Sequence, residues 1–147
     1  MRRFTREFLD DAFRRLATLA PDTVPQWGSM RPPQLFAHLI VTFRYSLGKE
    51  PTQPNVGGFL GRYVAGPLIL NGIIKRPRNA RAPSMYNSQA PAASLDELRQ
   101  ETEEFLRRFD ARDLSPPAHQ IFGDIGLDGW GKVHVTHMQH HMCQFGV

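Results

Sequence analysis

The chain has 147 residues, 41% of them hydrophobic and 22% charged, with a formal net charge of +4. That length suits one domain, residues 1–147, able to bury its own core, and the composition excludes a disordered or collagen-like chain. The single cysteine, Cys143, excludes an internal disulfide framework and fits a reducing compartment.

The N-terminal segment has no unbroken apolar run and carries Glu7, Asp10 and Asp11, unlike a signal or transit peptide, so the cytoplasm is the expected location. Phe4, Phe8, Leu9, Ala12, Phe13 and Leu16 recur at helical spacing and predict a first helix, closed before Pro21 and Pro25. Pro32-Pro33 suits the opening of a second, running from Gln34 to about Leu47, where Gly48 can end it. Residues 48–94 are irregular and rich in Gly and Pro, with a short helix expected within 57–75. The apolar stretch Val56 to Ile74 holds Arg62, Pro67, Asn71 and five glycines, a poor mixture for a membrane span, so a buried or interface segment is expected there and no membrane.

Lys75, Arg76, Arg78 and Arg81 fall within seven residues. Such a cluster invites a nucleic-acid reading. It lies in a Pro-containing stretch with only Tyr86 as a nearby aromatic, which favours a solvated basic loop over a groove that tracks phosphates. Ser94-Leu-Asp-Glu97 is a capping box opening a helix that keeps Leu98, Thr102, Phe105, Leu106 and Phe109 on one side. Pro116-Pro117 and the glycines at 123, 126, 129 and 131 form the next connection, after which Asp128 can cap a last helix reaching nearly to the C-terminus. No segment alternates as a strand. The expected fold is all-α, a four-helix bundle, an architecture that builds metal sites from side chains on facing helices.

Five of the six histidines, His119, His134, His137, His140 and His141, lie in the last 29 residues, woven into an apolar helical pattern. On a wheel of roughly 100° per residue, Trp130, Val133, His137, His141 and Gln144 share a stripe, with His140 and His134 at its edges. His137 and His141 are four apart, which sets their β-carbons about 6 Å from each other. Two imidazoles at that spacing can converge on one metal, as in the His-Glu-x-x-His proteases. The glutamate of those enzymes is missing here, since 138–140 read Met-Gln-His. A third ligand needs another helix, and His38 is the one histidine outside the C-terminal region. Gln34, Thr42 and Tyr45 share its face. A buried polar group needs a partner, and His38 is either a metal ligand or an ordinary hydrogen-bonded core histidine.

The run Trp27-Gly-Ser-Met-Arg-Pro-Pro-Gln34-Leu-Phe-Ala-His38-Leu resembles the second-helix motif of the DinB/YfiT-like superfamily, in a branch known only as a domain of unknown function. Phe122-Gly123, Trp130-Gly131 and His137-Met-Gln-His140-His141-Met-Cys-Gln144-Phe145 resemble the last-helix motif of the same branch. Together the motifs cover about a third of the chain. The resemblance implies a four-helix bundle of up-down-down-up topology, often a homodimer. It also implies a divalent metal on one histidine of the second helix and an i,i+4 pair of the last, which map to His38, His137 and His141. Relatives in that superfamily include thiol-dependent transferases and isomerases and the metal-binding portion of sulfoxide synthases, so a low-molecular-weight thiol is an implied cofactor. A shared fold does not carry a substrate with it.

His140 is expected beside the site or as a substitute ligand, His134 at a surface or interface, and His119 in a loop. Gln34, Tyr45 and Gln144 are candidates to orient imidazoles or bound water, and equally candidates for satisfied polar groups of the core. Trp27 and Trp130 are candidate core anchors or pocket walls. Cys143 lies roughly 160° from His141 on the wheel and is expected to be a small buried residue rather than a ligand or nucleophile. Zinc, nickel, iron and manganese all accept imidazole and water and are not distinguished by these residues. The leading functional expectation is a metal-dependent transferase or hydrolase acting on a small molecule. The alternatives are a non-catalytic metal- or ligand-binding bundle and, last, a nucleic-acid-associated protein.

Overall fold

The computed structural model describes residues 3–78 and 92–147. Arg81 and Tyr86 of the basic stretch lie outside the described residues. Four long helices carry the structure: α1 (Arg6–Leu16), α2 (Pro32–Ser46), α5 (Leu95–Ala111) and α6 (Gly126–Phe145). Between α2 and α5 come the short α3 (Gly58–Leu60), a π-helical turn (Gly61–Ala65) and α4 (Gly66–Leu70). Among the described residues there is no strand, only one antiparallel bridge between His119 and Gly123, so the described part of the chain is all-α as expected. None of the described helices is long and apolar enough to cross a membrane.

Local chemistry sets the helix ends. Thr5 Oγ1 accepts the Phe8 amide at the start of α1. Ahead of α2, Gln34 Oε1 reaches back to the Arg31 amide at 2.9 Å, while Pro32 and Pro33 occupy positions whose N–H would have no helical partner. The predicted capping box opens α5: the Glu97 amide donates to Ser94 Oγ at 3.1 Å and Glu97 Oε2 accepts from the Ser94 amide at 2.6 Å. The sequence placed Asp128 as the cap of α6, but α6 starts at Gly126. Asp128 sits in its first turn, where its carboxylate takes Arg112 at 2.5 and 3.1 Å and ties the end of α5 to the start of α6.

The apolar stripe of α1 is buried as its spacing predicts, and α1 packs against both α5 and α6. In turn α2 packs against α5 and α6, while α4 covers a further side of α6. With neighbours on three sides, α6 buries more than one stripe, and this accounts for the main error in its reading. His134 was expected at a surface or interface; it is 1% exposed, stacked on Phe43 with ring centroids 3.8 Å apart and edge-on to Phe105. Ser46 Oγ gives its proton to the Phe43 carbonyl, so it accepts from Nε2–H of His134 at 2.9 Å. Cys143 departs from expectation in the opposite sense: it is exposed.

His119 is buried against Phe122 and Trp130 and uses Nδ1 to accept the Ile121 and Phe122 amides at 3.0 and 3.2 Å. It thereby satisfies a connection whose backbone would otherwise be orphaned. Burial, with the Arg76 charge adding to it, lowers the His119 pKa to about 3, and burial lowers that of His134 well below its ordinary value. Both rings are therefore neutral when folded, whereas the unfolded chain binds protons below about 6.5. The unfolded state then holds more protons, so stability is lost as pH falls from about 6.5 towards 3. Denaturant unfolding between pH 7 and 4 should show a declining free energy. His119→Asn, which keeps an acceptor for the two amides, should flatten that slope; an unchanged slope would contradict a neutral buried His119.

Candidate metal centre

Two helices supply the centre. His38 projects from the middle of α2, and His137 and His141 lie one turn apart on α6. The three rings form a nearly equilateral set, with centroids 4.8, 4.9 and 4.8 Å apart. His38 Nε2 lies 2.9 Å from His137 Nε2, which lies 3.1 Å from His141 Nε2, and one ligand atom from each residue falls within 4.8 Å of the others. Two imidazole nitrogens bound at 2.0–2.1 Å to one cation lie about 2.9–3.3 Å apart at octahedral to tetrahedral angles. The observed separations match that range. His38 and His141 are buried and His137 half-buried.

The hydrogen-bonding partners of His141 decide which of its nitrogens carries a proton. Gln144 Nε2 donates to the Trp27 carbonyl at 2.8 Å, which fixes the amide so that Oε1 faces His141 Nδ1 at 2.7 Å. An amide oxygen only accepts, so Nδ1 carries the hydrogen and Nε2 presents a bare lone pair to the other two histidines. The close approach depends on Gly28: its φ is +78°, and a Cβ there would lie 2.9 Å from Gln144 Nε2.

Protons alone do not satisfy the cluster. His141 Nε2 is bare, and a single N–H on His137 points in one direction, so it aligns well with at most one of its two neighbours. The other short contact is left without an aligned hydrogen, an arrangement that a cation at the centre resolves. Burial, followed by the neighbouring rings, holds the pKa of His137 and His141 well below the ordinary histidine value. Both therefore remain neutral and able to donate lone pairs at physiological pH. The donor set and its geometry fit a divalent metal.

The other candidates divide. Gln144 bonds an imidazole. Gln34 caps α2, and the Tyr45 hydroxyl donates to the Ala118 carbonyl while accepting the Gln53 amide, anchoring a connection. Trp130 is fully buried and donates Nε1–H to the Pro117 carbonyl, a core anchor. His140 is half-buried and edge-on to both His141 and Trp27. Trp27 contributes through its backbone carbonyl as well as its ring, a role that side-chain chemistry does not signal.

A feature missed by the sequence is the course of the segment after α4. It runs alongside α6 in the same direction, with Asn71 Oδ1 accepting Lys132 Nζ at 2.7 Å and Arg76 Nη2 donating to Thr136 Oγ1 at 3.2 Å. The Arg78 guanidinium then lies 4.7 Å over the Trp27 ring. This part of the basic run rests on the histidine-bearing helix and is not simply solvated.

Comparison with known families gives one finding: the model of a family described as "Protein of unknown function (DUF1569)" matches residues 1–146. No curated protein and no solved structure matches the chain.

Removing a group that orients a metal-binding imidazole typically costs 10–100-fold in metal affinity. Gln144→Ala should weaken zinc binding by about that factor while leaving the stoichiometry at saturation unchanged. Competition with a chromophoric chelator reads the affinity, and a wild-type value would contradict the assigned role of Gln144.

Proposed function

The chain belongs to this family of unknown function, and we propose that it is a metal-dependent enzyme acting on a small molecule through a divalent cation held by His38, His137 and His141. The observation that carries the reading is the convergence of three imidazole nitrogens from α2 and α6, with His141 locked by Gln144 in the tautomer that offers Nε2. Three neutral ligands leave the charge of the cation undiminished and leave coordination positions open. A cation so bound polarises a substrate oxygen, activates water, or holds a thiolate nucleophilic at neutral pH.

Within that reading the chain's own groups have definite tasks. His38 and the 137/141 pair fix the reacting centre between two helices instead of on loops, which favours precise geometry. Gln144 and the Trp27 carbonyl hold one ligand ring against rotation. His140, whose ring lies edge-on to that of His141 and which is not among the three converging residues, is the proposed proton-exchanging group. The reaction class proposed is a thiol-dependent transferase, with a low-molecular-weight thiol as co-substrate, or a hydrolase, and the architecture proposed is the DinB-like up-down-down-up bundle. Zinc, nickel, iron and manganese all suit the donor set.

We also propose that two copies associate through the exposed face of the α3–α4 region, where Phe59, Leu60 and Tyr63 are 71%, 69% and 58% exposed. Exposed large apolar side chains close together in the chain are the kind of surface an interface covers. Sedimentation of wild type and Phe59→Glu/Leu60→Glu should read dimer and monomer respectively; a wild-type monomer would overturn this part.

The metal reading is tested by elemental analysis of untagged protein purified without chelators. Wild type should carry about one equivalent of a divalent transition metal. His38→Ala and His141→Ala should carry almost none while retaining the helical circular dichroism of the fold. Retention of a full equivalent by either variant would show that the assignment is wrong.

A further inference from the structure

The positive charge around the three histidines exceeds what holding a metal requires. Residues 23–49, 71–95 and 129–147, which include α2, the segment alongside α6 and nearly all of α6, contain no Asp or Glu. Alongside these elements the chain brings Lys75, Arg76 and Arg78. Arg76 is half-buried and anchored on Thr136, the residue before His137. The Thr136 hydroxyl lies within donating distance of the Lys132 and Val133 carbonyls, at 2.9 and 3.1 Å, leaving its oxygen to accept the guanidinium. Arg78 is held over Trp27, which is edge-on to His140.

A guanidinium beside a cation held by neutral ligands costs Coulomb energy, and this cost grows as the group is withdrawn from water. An arrangement that only had to hold a metal would gain from a carboxylate there and would gain nothing from arginines. An anionic ligand reverses the balance, because it is attracted by the metal and the guanidinium together. The planar fork of Arg also matches the oxygen geometry of a carboxylate or a phosphate.

On the basis of the metal reading above, we propose that the centre takes a small ligand bearing a carboxylate or phosphate group, and that Arg76 binds that group while Arg78 reinforces the local positive field. The contact of Arg76 with Thr136, one residue before His137, supports this placement.

The test uses the full chain loaded with cobalt(II), whose visible spectrum responds to a change of ligand. Inorganic phosphate and acetate are titrated separately, with neutral imidazole as the uncharged control. At least one of the two anions should perturb the wild-type spectrum saturably. Arg76→Gln should weaken that anion at least about tenfold and Arg76→Lys less, consistent with loss of a charge-assisted fork. Cobalt stoichiometry and the imidazole response should be unchanged. Whichever of phosphate and acetate binds more tightly names the ligand class. Equal anion affinities in wild type and Arg76→Gln, or one equivalent of cobalt with no response to either anion, would overturn this inference and leave the metal reading standing. Failure of the wild type to take up cobalt would remove the metal reading and this inference with it.

Discussion

The contact of α2 with α6 brings His38 within 2.9 Å of His137, a residue ninety-nine positions away in the chain. The metal reading and the anion-binding inference both depend on that contact. Polar rings withdrawn from water must find partners, and here three of them face one another instead of the solvent. The surrounding fold holds them there: α1 and α5 pack around the other sides of the same helices, and the Trp27 carbonyl clamps Gln144, which in turn fixes His141. Three imidazole nitrogens held facing one another in this way are the arrangement expected of a preorganised metal site.

Helix α6 also shows how one residue type serves different ends. His134 stacks on Phe43 and gives its Nε2–H to Ser46, and so behaves as a core aromatic with one polar contact. His137 and His141 present their nitrogens to a common point. His119, just ahead of the helix, accepts two backbone amides and stabilises a connection. All four have pKa values lowered chiefly by burial. A lowered pKa therefore does not separate ligand from core residue in this molecule; the direction in which each nitrogen points does.

The periodic helices were legible because their causes are local. The α1 stripe, the Ser94/Glu97 box and the Pro32-Pro33 start need only neighbouring residues to be understood, and each is found where its pattern lies. Position 38 was legible as an anomaly, a histidine on a polar stripe within a stretch otherwise fit for burial, and the 137/141 spacing supplied its natural partners. What the sequence missed is tertiary. His134 was taken for surface because a wheel assumes one buried face, whereas α6 is covered on three. Gln34 and Tyr45 share a face with His38, but the chain around them claims their hydrogen bonds first. The carbonyl of Trp27 and the course of residues 71–78 along α6 leave no trace in side-chain pattern, because both follow from how the chain is routed.

The central claim concerns the atoms that surround the cation, and X-ray absorption at the zinc edge of the reconstituted protein addresses it directly. The account predicts three imidazole nitrogens at about 2.0–2.1 Å, with the outer-shell scattering of histidine rings and remaining positions filled by lighter oxygen donors. A sulfur scatterer near about 2.3 Å, which in the free protein could come only from Cys143 or a methionine, or a first shell without histidine-ring scattering, would contradict it.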